Sequence, residues 1–511
     1  MQKTSIYCTV LLCCSLVCPY YSAYSANSSE LTPWQTSPDA CLPFTMPSKD
    51  TILSSPKKVF ANYFLRHPLS LDNRDWTEDY YTRNYLQPHG EKDKWLSEGG
   101  FIRARPLPTP KISGANSVRY EIENIKKEIR LAISRGINGF VFDILDIKDI
   151  SMNGYLGNML TAIAEVDPRF KLVISPSVSS LKNGMADVLK IIQNVYDNNN
   201  PILLHSPDGK LVIAPFNPES FPASDWLKLV EQLKTEGKDV FLMPFFLSVN
   251  DTYLTDYNKI SGGFGTWGTA YPNQGITLLA NTQSAHKLKK IFMAGIQPQG
   301  YRPKNFMYWE PEASAGYRNS WIGAIEGNAD IIQLVTWNDF SESTQIAPYT
   351  DLSGSSGTGF FNLTGYYSSW FITGQQPQIT HDVLYYFYRK HTVTATTPMA
   401  AKPTLPAFSN IKGVDVIELI AFLTEPGTLS IKIGNKEYNQ EVQKGIQSIR
   451  APLEKGLPEF SLIRHNRKII AFRGATQIYG DNGLPSGFAD LTYWSGSASA
   501  NGTCFSDGVK E

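Results

Sequence analysis

Eight β-rich runs alternating with longer amphipathic stretches between residues 59 and 337 predict an α/β fold built as a (β/α)8 TIM barrel. Short alternating segments with frequent turn signals after residue 413 predict a smaller C-terminal antiparallel β-sandwich domain. The end of the barrel at which chemistry is expected is marked by one segment. The apolar run Ile331-Ile332-Gln333-Leu334-Val335 empties into Thr336-Trp337-Asn338-Asp339-Phe340-Ser341-Glu342-Ser343, and parallel barrels build their sites where strands end.

The first residues, Met1-Gln2-Lys3, an apolar stretch through Val17 and the small-residue site Ala23-Tyr24-Ser25, have the three-part layout of a secretory signal peptide. Residues 1–25 are therefore expected to be removed on export, leaving residues 26–56 as an N-terminal extension. The apolar part is too short for a permanent anchor, and no later window offers about 18 uncharged apolar residues. The mature chain is expected to be soluble and extracellular, or periplasmic in a Gram-negative host. Cys8, Cys13, Cys14 and Cys18 fall in the leader, so export leaves Cys41 and Cys504 as a disulfide candidate near the two ends. The alternative is two unpaired, small apolar side chains.

The barrel is expected over residues 57–395. Its strands are Val59 to Phe64, Gly139 to Ile144, Lys171 to Ser175, Lys210 to Pro215, Asp239 to Phe246, Gly263 to Trp267, Ile291 to Ile296 and Ile331 to Trp337, of which Gly263 to Trp267 has the weakest pattern. Between them, Val118 to Arg135, Tyr155 to Glu165, Ala186 to Asn194, Ser224 to Glu236, Thr277 to Lys290 and Ala315 to Glu326 carry apolar residues at helical spacing and read as crossover helices. Gly136 and Gly237 supply helix stops. Thr350 to Gly359 is a Gly/Ser-rich loop, and His381 to His391 reads as a last barrel helix. Residues 396–412, with Pro398, Pro403 and Pro406, read as a linker, and residues 413–511 as the sandwich, with segments such as Asp415 to Leu423 and Lys436 to Val442.

Charge and composition exclude some partners. The 47 basic and 47 acidic residues cancel, which gives no electrostatic case for nucleic acid or an anionic membrane and suits an uncharged substrate. The seven histidines are scattered without zinc-type spacing, so no metal is implied. No Gly-x-Ser-x-Gly elbow or P-loop occurs, and no cofactor is expected.

Asp339 and Glu342 are the candidate catalytic pair. Cleaving a glycosidic bond requires one carboxylic acid to protonate the leaving oxygen and one carboxylate to activate water or attack the ring. Their spacing of three keeps the α-carbons within roughly 10 Å, and leaves inversion and retention both open. The structural alternative is a pair of caps on a helical turn.

The Thr-Trp-Asn-Asp-Phe-Ser-Glu-Ser block resembles the Trp-Asn-Asp-(aromatic)-(small)-Glu-Ser signature of glycoside hydrolase family 71, the endo-1,3-α-glucanases or mutanases. Lys58-Val59-Phe60-Ala61-Asn62-Tyr63 is similar to the family's first strand, Arg135-Gly136-Ile137-Asn138-Gly139-Phe140 to its second-strand entry, and Asp208-Gly209-Lys210 to the turn before its fourth strand. Three positions depart: Asn62 stands for His, Ser175-Pro176-Ser177 for Ser-Phe-Asp, and Gly268 where fungal members carry Asp. Trp309-Glu310-Pro311-Glu312 resembles the bacterial-type branch, so the chain reads as a divergent bacterial-type member.

The resemblance implies an inverting endo-hydrolase of α-1,3-glucan, with Asp339 as general base and Glu342 as general acid, or the reverse. The two pKa values must be pushed apart, and Trp337 and Phe340 are candidates to desolvate one carboxyl. Candidate substrate-binding residues are Asn62, Asp143, Trp267, Gln297, Tyr301, Glu312, Trp337 and Asn338, and Glu312 is also a rival acid. Each has a structural alternative: a salt bridge for Asp143, core packing for the tryptophans. The expected partner is an α-glucan polysaccharide bound by a monomer. Other readings are a glycosidase of different linkage or sugar, or a carbohydrate-binding barrel without activity.

Overall fold

A parallel sheet organises the N-terminal part of the chain, with strands β1 (Lys58–Tyr63), β2 (Gly139–Ile144), β3 (Lys171–Pro176), β4 (Leu211–Ile213), β5 (Val240–Leu242), β6 (Phe245–Phe246), β7 (Gly263–Thr266), β8 (Ile291–Ile296) and β9 (Ile331–Leu334). The computed structural model describes residues 41–64, 81–107, 117–352, 356–397, 402–408, 410–481 and 489–503, all within one compact unit. The nine strands follow the order β5-β4-β3-β2-β1-β9-β8-β7-β6. Its two end strands are consecutive in the chain. The expected single strand Asp239 to Phe246 is interrupted at Met243-Pro244, where proline offers no N–H, and its halves pair β4 on one side and β7 on the other.

Helices α1 (Ser117–Ile133), α2 (Tyr155–Val166), α3 (Met185–Asn198), α4 (Ala223–Thr235), α5 (Asp251–Tyr257), α6 (Gln274–Lys287) and α7 (Ala315–Glu326) cross between successive parallel strands, and α8 (Gly359–Thr373) follows β9. Gly136 and Gly237 end α1 and α4 as expected, at φ +76° and +75°, with Ile137 N donating to Ala132 O and Lys238 N to Leu233 O.

Side-chain alternation divides the strands between two cores. Val59, Ala61, Phe140, Phe142, Leu172, Ile174 and Leu334 pack on the helices. Phe60, Val141, Val173, Val212, Met243, Phe245, Met293 and Ile331 fill the concave side. That side is tight, and it accounts for the weak pattern of β7: a Cβ on Gly265 would lie 2.4 Å from the Phe245 ring and one on Gly263 2.5 Å from Ile291.

Two antiparallel sheets follow. One holds β10 (Val383–Arg389), β11 (Val416–Leu423), β14 (Gly445–Pro452), β17 (Tyr493–Ser499) and β18 (Gly502–Thr503); the other holds β12 (Gly427–Ile433), β13 (Lys436–Val442), β15 (Glu459–Arg464) and β16 (Arg467–Arg473). Leu384, Tyr386, Leu419, Leu429, Ile431, Phe460 and Leu462 form their common core, with Tyr386 and Phe460 stacked at 4.9 Å.

The segment His381 to His391 is not a helix. Val383–Arg389 is a strand of the five-stranded sheet, buried at all seven positions. Its even-numbered side chains enter the antiparallel core, while Val383, Tyr385 and Phe387 turn to α8, where Phe387 meets Phe360 at 4.9 Å. A strand buried on both faces loses the period-two signal and reads as an undifferentiated apolar run. Cys41 is buried and disulfide-bonded; Cys504 lies outside the described residues, as does the expected leader. Among the described residues no helix is long and apolar enough to cross a membrane.

Candidate active site

Strand β9 stops at Leu334, and the chain from Thr336 to Ala347 folds into a loop closed on itself. Thr336 N donates to Thr344 O (3.0 Å), Ile346 N to Thr336 O (3.0 Å), Ala347 N to Trp337 O (3.1 Å) and Thr344 N to Asp339 O (3.2 Å). The Thr336 and Thr344 hydroxyls meet at 3.0 Å. The loop is tied to β1 as well, through Trp337 N to Asn62 O at 2.7 Å. Both candidate carboxylates therefore ride on a cross-bridged loop at the C-terminal edge of the sheet, where rigid support favours a fixed geometry.

Asp339 is buried. Its Oδ1 accepts from Ser341 N (2.9 Å) and Ser341 Oγ (2.7 Å), and its own N–H donates to Thr336 Oγ1 at 2.8 Å. Such bonds favour a carboxylate. Glu342 differs. Its side chain keeps about a fifth of its surface, and Oε2 lies 2.5 Å from Arg302 Nη2. Burial first, then repulsion from Asp339, push its carboxyl up to about 7, against the pull of Arg302 and Lys304. The two carboxyls thus sit in unlike surroundings, Glu342 raised by burial and Asp339 hydrogen-bonded by Ser341.

Arg302 had no signal in the sequence. It sits on a hairpin, Gly300–Arg302 against Met307–Trp309, that follows β8, and its guanidinium lies 4.8 Å from the Trp309 ring. Tyr301 N donates to Glu342 O at 2.7 Å, so hairpin and carboxylate loop are joined by backbone as well as side chain.

The other sequence candidates divide. Asn62 and Asp143 share the concave side with Phe60 and Val141 by strand alternation, and are 1% and 6% exposed. Neither amide atom of Asn62 finds a partner among the described residues. Trp267 caps the concave cluster, 4.5 Å from Phe216 and 6.0 Å from Phe245. Gln297 is buried just past β8 and donates to Gln299 O. Asn338 is engaged with the end of β1: Oδ1 accepts from Phe64 N (2.7 Å) and Nδ2 donates to Phe64 O (3.1 Å).

Four candidates point elsewhere. Trp337 is wholly buried in the layer between sheet and helices, its ring 5.5 Å from Phe140 and 6.5 Å from Phe361, so it lines no cleft. Phe340 belongs to a separate cluster with Tyr81, Tyr349 and Trp494. The Tyr301 ring packs with Tyr308 and Leu491, and its hydroxyl donates to Ala489 O. Glu312, at φ +51°, turns toward the antiparallel region and pairs with Arg450 at 3.2 Å. Its neighbour Glu310 is a buried anchor, binding Arg389 (2.7 Å), Tyr493 OH (3.0 Å), Glu312 N (2.7 Å) and Val414 N (3.0 Å).

A protonatable carboxyl and a hydrogen-bonded carboxylate on one rigid loop, set where parallel strands end, are what a glycoside hydrolase requires, and the comparisons agree on that class. The chain belongs to glycosyl hydrolase family 71, whose model matches residues 113–507. It is 24% identical over 386 residues to a glucan endo-1,3-alpha-glucosidase of Schizosaccharomyces pombe, spanning 70% of this chain and 88% of that protein. It is 23% identical over 386 residues to a mutanase of Penicillium rubens, spanning 70% and 82%. Among solved structures, the GH99 endo-alpha-mannosidase of Bacteroides thetaiotaomicron aligns with TM-score 0.48 at 16% identity, over 61% of this chain and 97% of that one.

Proposed function

We propose that the chain hydrolyses α-1,3-glucan internally and with inversion, using Glu342 as general acid and Asp339 as general base. The observation that carries this reading is the pairing of unlike carboxyls: Glu342 raised to about 7 by burial and by Asp339, beside an Asp339 whose oxygen accepts two bonds from Ser341. Glu342 would protonate the departing glycosidic oxygen while Asp339 draws a proton from the attacking water. The linkage is supported by relatives named as endo-1,3-alpha-glucosidase and mutanase. The scaffold is read as a (β/α)8 barrel, with the run 240–246 counted as its broken fifth strand, followed by a β-sandwich beginning at Val383. Secretion is supported by the disulfide at Cys41, and the working form is taken as a monomer.

The test is product analysis on insoluble α-1,3-glucan, with the anomer first released followed by NMR. Wild type should release internal fragments in the inverted configuration. Asp339→Asn and Glu342→Gln should each lose roughly two or more orders of magnitude in kcat. Full activity in either variant removes its residue from the mechanism, and a protein that sediments with the glucan without releasing reducing sugar is a binder instead.

A further inference from the structure

A short contact between a cation and an acid that must hold a proton looks contradictory, because a guanidinium stabilises the charged carboxylate. The contradiction is removed by looking at which oxygen is involved. The ion pair joins Arg302 Nη2 to Oε2 of Glu342, at 2.5 Å. A neutral carboxylic acid keeps full acceptor capacity on its carbonyl oxygen and carries its proton on the other. A donor fixed on Oε2 therefore leaves Oε1 as the oxygen that bears the proton.

Arg302 is built for this task alone. Glu342 is its only hydrogen-bonding or ionic partner among the described residues, its Nε is buried without an acceptor, and the Trp309 ring 4.8 Å away holds the guanidinium plane. Arg302 pairs with Met307 across the hairpin, and Tyr301 N holds the backbone of Glu342 at 2.7 Å, so the distance between cation and acid is set from both sides. The charged groups facing Glu342 are Asp339 from its own loop, and Arg302 and Lys304 from the hairpin. The Tyr301 hydroxyl turns away to Ala489 O.

We propose that Arg302 is the positioning residue of the acid, gripping Oε2 of Glu342 so that Oε1 presents the proton to the leaving oxygen. It touches no reacting atom. This inference rests on the reading of Glu342 as general acid.

The experiment compares wild type, Arg302→Met and Arg302→Lys, with Glu342→Gln used to assign the resonance. The Glu342 carboxyl is titrated directly by 13C NMR on labelled glutamate, without substrate, and kcat and KM on α-1,3-glucan are followed against pH. In Arg302→Met the midpoint should rise by about one unit. The alkaline limb of kcat should rise with it, and kcat at the optimum should fall ~10- to 100-fold with KM little changed. Arg302→Lys keeps the charge, so its midpoint should stay near wild type while part of the kcat loss remains, because an ammonium lacks the planar fork. An unmoved midpoint in Arg302→Met, or a loss confined to KM, overturns the proposal. A shifted midpoint in a wild type that cleaves no α-1,3-glucan keeps the Arg302–Glu342 coupling and sinks the substrate assignment instead, so the two failures are distinguishable.

Discussion

A carboxyl lifted from 4.5 to about 7 by burial and by a neighbouring Asp339 makes the folded state pay for its own chemistry, and Glu342→Gln should reveal how much. Folded Glu342 binds its proton more tightly than unfolded Glu342 does. Its contribution to stability is thus fully present below pH 4.5 and is lost as pH rises through about 7. The shift corresponds to roughly 3 kcal/mol at 1.36 kcal/mol per unit, and about 2 to 3 after allowance for the fifth of the side chain that remains exposed. Glutamine keeps the shape and an acceptor for Arg302, and has no charge to desolvate. Relative to wild type, Glu342→Gln should gain about 2 to 3 kcal/mol between pH 4.5 and pH 8. For 511 residues unfolding as one unit this is about 2 to 3 °C in Tm. The assay is thermal or urea unfolding of both proteins at pH 4.5, 6 and 8. A difference that does not change with pH, or a variant that weakens relative to wild type as pH rises, would refute the argument that Glu342 is held against its charge.

Other expectations follow from single contacts. Wild-type activity should fall as pH rises through about 7, because the proton on Glu342 is then lost; kcat measured from pH 5 to 9 checks it. Ser341→Ala removes the 2.7 Å bond to Asp339 and should lower kcat by about tenfold while leaving Tm nearly unchanged. Glu310→Leu strands the buried Arg389 and should cost about 3 to 5 kcal/mol in unfolding free energy. Glu312→Gln weakens only a partly exposed contact with Arg450, so kcat should stay within about twofold of wild type, as steady-state assays on both proteins would show.

What could be read in the chain depended on how locally each feature is determined. The parallel strands were legible because burial on both faces makes them β-branched apolar runs bounded by amphipathic helices. The same property misled at Val383–Arg389, where Tyr385 and Phe387 serve one core and Tyr386 and Tyr388 the other, so no period was left to separate strand from helix. Its neighbour β17, Tyr493–Ser499, is rich in Gly, Ser and Ala and is a strand only because it pairs with β10 from more than a hundred residues away.

The site shows the same division. The proposed pair, Asp339 and Glu342, stands out in the sequence because an apolar strand ends beside it, and Asn338 and Trp337 enter as candidates by adjacency. Alternation along Ile331–Leu334 would aim residue 337 at the concave side, but regular strand ends at Leu334 and the Trp337 ring settles against Phe140 and Phe361 instead. Glu312 failed for a related reason: positive φ at Glu312 and Ala313 reverses the chain and carries the carboxylate to Arg450. Arg302 had no pattern to announce it, since its contact with Glu342 depends on a hairpin folding back onto a loop forty residues later in the chain, with Trp309 as its backing. Chemistry carried by one stretch of chain can be read from that stretch. The surroundings of the proposed acid are shared between two loops, and their contact at 2.5 Å joins residues that no single stretch of sequence brings together.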